Sequence, residues 1–327
     1  MNLRVLKRNI PFVATLAVCL GLYLAASFRF REEGFASWHV LILFFSENAF
    51  VGIAAVGMTF VILSGGIDLS VGSLVALVTI LLAIFIQEHH MPPLLAIGIV
   101  LLIATIFGAS MGALIHLFDL PPFLITLAGM FMARGLALLL HEGSIAIEGK
   151  VDGIVSRLTV PLGANLELPA TAIIFLAVFL IAIVIAHWTR FGRNLYAVGG
   201  NEQSAILMGL PVCRTKIGVY ALSGFCAGLA GVVNVLYTSS GNANAGIGLE
   251  LDAIAAVVIG GTLLSGGVGY LAGTLVGVIT FGVIQTAIQF QGTLSTWWTR
   301  IVIGALLLGF ILLQKVIQSK KLVGTTH

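Results

Sequence analysis

The chain has 327 residues, of which 59% are hydrophobic and 9% charged, whereas soluble domains run at roughly 45 to 50% and about 25%. With a mean hydropathy of +1.12 and uncharged runs over residues 48–67 and 168–186, several stretches pass the roughly 18-residue threshold of a spanning helix. A soluble enzyme, a secreted disulfide scaffold and a disordered regulator are excluded, and a formal net charge of +3 is no nucleic-acid signature.

At the N-terminus, Arg4, Lys7 and Arg8 precede an apolar run from Ile10 to Phe28. That run exceeds the roughly 7 to 15 residues of a signal-peptide core, so a first spanning helix with a basic anchor is expected. Further helices are expected near residues 44–63, 69–87, 94–115, 122–141, 168–186, 217–237, 253–264, 270–290 and 298–314. The fold class is therefore an all-α polytopic membrane protein, a single transmembrane domain over residues 1–327 with about ten transmembrane helices. Segment 253–264 stands apart, because a helix of that length rises only about 18 Å where the hydrocarbon core needs about 30 Å. A broken or re-entrant element is expected there, ending at Ser265-Gly266-Gly267-Val268-Gly269.

Lys and Arg in short loops mark the cytoplasmic side. Ten spans with both termini inside place Arg190, Arg193, Arg214 and Lys216, with the basic residues of both termini, on the inner face. Only Arg29, Arg31, Lys150 and Arg157 fall outside. On that count 142–167 is a periplasmic loop and 187–216 a cytoplasmic one. Within the inner loop, Asn201 is a helix N-cap, Glu202 suits the positive first turn, and Gly209 with Pro211 stops the helix. About eight residues give roughly 12 Å of helix. Ala205, Ile206, Leu207 and Met208 make it too apolar to lie bare in cytosol, so it is expected to dock on a partner or the membrane face.

An ungapped internal repeat relates residues 53–77 to 254–278, with 11 identities in 25 positions. Ile53-Ala54-Ala55-Val56 matches Ile254 to Val257, and Leu63-Ser64-Gly65-Gly66 matches Leu264 to Gly267. Repeated, Gly-interrupted apolar segments of this kind point to the substrate path of a transporter. The two copies are parallel if 253–264 spans and inverted if it is re-entrant.

The first copy also carries Asp68, the one acidic residue between Glu47 and Glu88. It is expected to cap the helix that follows, a role compatible with substrate contact or gating. Arg134 lies within a span, where a cation must face protein, water or the interface; Glu142 is a candidate partner. Glu250 and Asp252 precede the short segment and are either interfacial caps or part of the substrate path. Thr126, Asn234, Gln285 and Gln289 are further polar candidates. Gly108, Gly112, Gly224, Gly228, Gly269, Gly273 and Gly277 are spaced for close helix packing. The three cysteines have no metal or disulfide pattern, and no Walker motif, HExxH or nucleophile elbow is present, so no catalytic residue, metal site or cofactor is expected on this chain.

The run Gly57-Met58-Thr59-Phe60-Val61-Ile62-Leu63 into Ser64-Gly65-Gly66-Ile67-Asp68-Leu69-Ser70-Val71-Gly72 strongly resembles the signature of the ribose-type permease family of bacterial ABC sugar importers. So do the segments Thr189 to Asn201 and Glu250 to Ala255. Within that family, Ile125 to Met130, Thr262 to Gly269 and Gly292-Thr293-Leu294-Ser295-Thr296-Trp297-Trp298-Thr299 look most like a galactofuranose importer permease. Pro122 and Gln291 depart from that pattern, where Ala and Asp would be expected.

The resemblance implies a non-catalytic inner-membrane subunit that moves a monosaccharide by alternating access. It would pair with a second permease, a paralogue or a second copy, and be contacted by membrane lipid. Two cytoplasmic ATPase subunits would bind the ATP and dock on a coupling helix at Gly200, Asn201, Glu202, Ala205, Met208 and Gly209. A periplasmic sugar-binding protein would deliver the cargo. Ser64, Gly65, Gly66, Asp68, Thr126, Arg134, Glu250, Asp252, Gly266 and Gly267 would line or gate the path. An ion-coupled secondary sugar carrier is the alternative.

Overall fold

The computed structural model describes residues 10–163, 166–293, 295 and 297–323. Arg4, Lys7 and Arg8, with Leu294 and Thr296 of the 292–299 motif, lie outside them. Among the described residues, seven helices are long and apolar enough to cross a membrane. They are α1 (Ile10–Arg29), α4 (Val71–Ala83) with the π-helical turn Ile84–Glu88, α5 (Pro93–Leu117), α6 (Pro122–Leu140), α8 (Ala170–Trp188), α11 (Val212–Thr238) and α13 (Leu271–Gln291).

The span expected at 44–63 is a bent pair, α2 (Trp38–Glu47) and α3 (Ala49–Leu63), meeting at 55°. Asn48 makes the bend: its side-chain Nδ2 donates to the Phe44 carbonyl at 3.0 Å, where a continuing helix would place only backbone. The helix starts earlier than its hydropathy suggests because the Ser37 hydroxyl caps it by accepting from Val40 N–H. The short element is α12 (Leu249–Ile259), four to five residues upstream of its expected place. Gly248 at φ 83° opens it and Gly261 at φ 91° closes it, conformations that favour glycine. Its 11 residues rise about 16 Å, too short to span. The last apolar helix is α14 (Trp297–Val323).

The centre of the bundle is α11, packed against α3, α4 and α5. A helix hydrophobic on all sides belongs inside, and every residue of α3 except Phe50 is buried. Glycine provides the close approach: a Cβ on Gly108 would meet Gly224 and the Tyr220 carbonyl, and one on Gly228 would meet Ala104. Charges near the start of α11 do not end it. It begins at Val212, after Pro211, with Arg214 and Lys216 in its first turns.

Two regions expected as loops are structured. Residues 144–146 (β1) pair antiparallel with Ser240–Asn242 (β4), α7 covers Asp152–Leu158, and Val160–Gly163 (β2) pairs antiparallel with Leu166–Leu168 (β3). Between α8 and α11 lie α9 (Arg190–Gly200), capped by Thr189, and α10 (Glu202–Leu207).

Candidate functional site

The repeat is visible as structure. Both copies are helix, break, helix: α3 and α4 about residues 64–70, α12 and α13 about residues 260–270. The aligned glycines Gly65 and Gly266 share φ 83°. Their N–H groups donate to the aligned carbonyls of Ile62 at 2.9 Å and Leu263 at 3.0 Å. The two breaks also touch, since Gly267 N–H donates to the Leu63 carbonyl at 2.9 Å. The C-terminal end of α9 closes on the same spot, where a Cβ on Gly199 would overlap the Leu63 carbonyl oxygen. Tyr196 of α9 donates its hydroxyl to the Gly269 carbonyl at 3.0 Å. Burial, reinforced by neighbouring Tyr270, pushes that hydroxyl up to about 12, so it remains a donor at neutral pH.

Asp68 is buried, at 1% exposure. One carboxylate oxygen accepts from the Ser70 N–H at 2.9 Å and the Ser70 hydroxyl at 2.6 Å, and the other accepts from the Ser223 hydroxyl of α11 at 2.7 Å. Asp68 is not the expected N-cap, since α4 starts after Ser70 with no side-chain cap bond; its carboxylate instead closes a turn onto Ser70 and fastens the break to the central helix. Thr126 is fully buried and donates to carbonyls of Pro122 and Ile67 at 2.9 and 3.3 Å. Its hydroxyl holds α6 against the first break. Asn234 lies on α11, away from the cavities described below.

Arg134 does not pair with Glu142. Its Nη1 donates to the carbonyls of Ala243 at 2.5 Å and Ala245 at 2.9 Å, and Glu250 is the charge it faces. Arg300 reaches the Ile247 carbonyl at 3.5 Å from the other end. Residues 243–248, between β4 and α12, are thus held by two guanidiniums on alternate carbonyls. Gly72, at the start of α4, leaves the room: a Cβ there would meet the Gly246 carbonyl and the Glu250 carboxylate.

Beside this segment lies a cavity of about 570 Å³ whose polar wall includes Asn244, Asp252, Gln285, Gln289, Thr299 and Arg300. Phe50, Phe281, Ile288 and Ile303 supply apolar surface. Sequence reasoning named Asp252, Gln285 and Gln289 separately; the fold brings them together. It missed Arg300, whose only sequence signal is its place as the sole charge in a long apolar stretch.

A second cavity, about 270 Å³, separates the first break from α10 and is bordered by Ser64, Gly65, Gly66, Tyr220, Glu202 and Lys216. Lys216 and Glu202 form an ion pair at 2.6 Å across it. Helix α10 begins as its sequence indicates, with the Asn201 side chain accepting from Ser204 N–H at 2.8 Å and Gly209 at φ 72° after its end. Ala205 does not face out. It is fully buried with Val198 and Val212, against Leu210, whereas Leu207 is 88% exposed and Ile206 and Met208 are also exposed.

Two broken helices that meet at their breaks, with one cavity beside each, among helices long and apolar enough to cross a membrane, define a helical membrane transport subunit. The chain belongs to the family described as branched-chain amino acid transport system / permease component, whose model matches residues 40–311. It is 51% identical over 310 residues to the inner membrane ABC transporter permease protein YjfF of Escherichia coli, covering 95% of this chain and 93% of that protein. It is 39% identical to the fructose import permease protein FruG of Bifidobacterium longum, covering 84% of this chain and 82% of FruG. The ribose import permease protein RbsC of Bacillus subtilis is 40% identical, with 82% of each chain covered. No solved structure shows a significant match.

Proposed function

We propose that this chain is a permease subunit of an ATP-driven ABC importer that carries a monosaccharide, galactofuranose or a related pentose or hexose, into the cytoplasm by alternating access. It sits in the bacterial inner membrane with both termini cytoplasmic. A second permease, most simply a paralogue, completes the path; two ATPase subunits bind ATP; and a periplasmic sugar-binding protein supplies cargo. The import permeases named for ribose and fructose support the substrate class, and the 292–299 motif supports galactofuranose within it.

The observation that carries the reading is the position of α10. Its exposed Ile206, Leu207 and Met208 form an apolar face, while the adjoining end of α9 abuts both helix breaks through Gly199. Movement of a docked ATPase would reach the broken segments through one rigid connection. Gly200, Asn201, Glu202, Met208 and Gly209 shape that connection, and Ala205 seats it. Leu207→Cys tests the docking: in the assembled complex it should cross-link to an ATPase subunit, with a yield that changes on adding ATP. No cross-link to any ATPase in an actively transporting complex would refute the placement.

A further inference from the structure

We propose that the 570 Å³ cavity is a subsite for an uncharged, polyhydroxylated ligand of monosaccharide size, with the Asp252 carboxylate as its principal hydrogen-bond acceptor. This rests on the transport reading above and assigns residues and a cargo charge to it. The volume lies within the roughly 300–1,000 Å³ of small-molecule sites.

Two charged residues of the 243–252 segment, Glu250 and Asp252, face two from outside it, Arg134 and Arg300. Their formal charges cancel. The two arginines are engaged by the Ala243, Ala245 and Ile247 carbonyls, and Arg300 also lies over the Trp297 ring, 5.3 Å from its centroid. Asp252 differs. Among the described residues its carboxylate has no ion pair within 4.0 Å and no hydrogen bond, although it lines the cavity. Gln285 and Gln289, one helical turn apart on α13, likewise spend no side-chain hydrogen bond on the protein while lining the same space.

A carboxylate accepts at two oxygens, and each amide offers two N–H donors and one acceptor. Adjacent hydroxyls of a sugar, each both donor and acceptor, match that set. Phe50 and Phe281 give apolar surface for the C–H face of a ring. The two charges on the cavity wall, Asp252 and Arg300, cancel, so an anionic sugar would find no net attraction there and would bring its charge against Asp252.

The test uses membrane vesicles bearing the full chain as Ile288→Cys, a wall residue that takes no hydrogen-bonding part, with the wild-type chain as blank. The reaction with a membrane-impermeant methanethiosulfonate is followed with ribose, fructose, galactose, galacturonate or galactose 6-phosphate present at millimolar concentration. A neutral sugar that the wild-type complex imports should slow labelling by about tenfold at saturation, and the two anions should not. In Asp252→Asn that protection should vanish and the KM for uptake rise about tenfold, the loss expected of a charged hydrogen bond. If an imported neutral sugar leaves labelling unchanged, or an anion protects, the subsite is wrong while transport stands. If uptake of every sugar survives loss of the chain, the transport reading fails with it.

Discussion

The backbone N–H of Gly267 donates to the carbonyl of Leu63 at 2.9 Å, binding the second helix break to the first at the point where Gly199 of α9 presses on both. Neither break is free to move alone. Whatever displaces α9 and α10 displaces the paired breaks, and this is the physical content of coupling in this fold.

Gly199 is the tightest place in that connection. A methyl group there would overlap the Leu63 carbonyl, whereas one on Gly200 meets nothing within 4 Å. Overpacking of this sort costs about 1–3 kcal/mol. Gly199→Ala is expected to lower uptake at least about tenfold and the unfolding temperature with it, with the chain still inserted, whereas Gly200→Ala should leave the unfolding temperature unchanged; transport assays with quantified membrane levels and thermal unfolding check both.

Asp68 serves three donors, and their loss is graded. Ser223→Ala removes one and should destabilise the chain by about 1 kcal/mol, while Asp68→Ala orphans three buried donors and should cost about 3 kcal/mol or more. Asp68→Asn retains an acceptor oxygen and should fall between. Thermal unfolding in detergent ranks the three. A stable Asp68→Asn chain without uptake would add a gating role to the structural one.

The exposed face of α10 predicts separation of coupling from folding. Leu207→Arg should abolish uptake and the ATP hydrolysis that accompanies it, yet leave unfolding unchanged within about 0.5 kcal/mol, as surface substitutions generally do. Ala205→Arg should instead disrupt α10, because Ala205 is fully buried. Breaking the Glu202–Lys216 pair with Glu202→Gln should cost at most about 1 kcal/mol, since both side chains reach solvent.

Arg134 holds two carbonyls with one planar group, a geometry that lysine does not reproduce. Arg134→Lys should keep the chain folded and reduce uptake severalfold through a higher KM, and Arg134→Met should remove uptake. Equal kcat/KM in wild type and Arg134→Lys would show that residues 243–248 need no clamp.

Much of this was legible in the sequence because membrane helices announce themselves through length and hydropathy, and because the repeat keeps its glycines where backbone must turn left-handed. Asn201, Glu202 and Gly209 marked α10 for the same local reasons. What escaped were relations across the chain. Nothing near Asp68 signals Ser223, 155 positions away, and nothing near Arg134 signals carbonyls more than 100 residues on. Backbone acceptors carry no residue identity, so a guanidinium that binds them has no visible partner in sequence. The bend at Asn48 had a signal in Ser46-Glu47-Asn48, which interrupts the apolar run, but a hydropathy average over a whole span passes across three polar residues.

Uptake of radiolabelled galactofuranose, ribose and galactose, in cells with and without this chain and with an ATPase partner that binds but cannot hydrolyse ATP, tests the central claim most directly. The account predicts that one sugar's uptake is lost both without the chain and with the inactive ATPase. Uptake that needs the chain, survives the inactive ATPase and collapses with a protonophore would contradict it and identify an ion-coupled carrier.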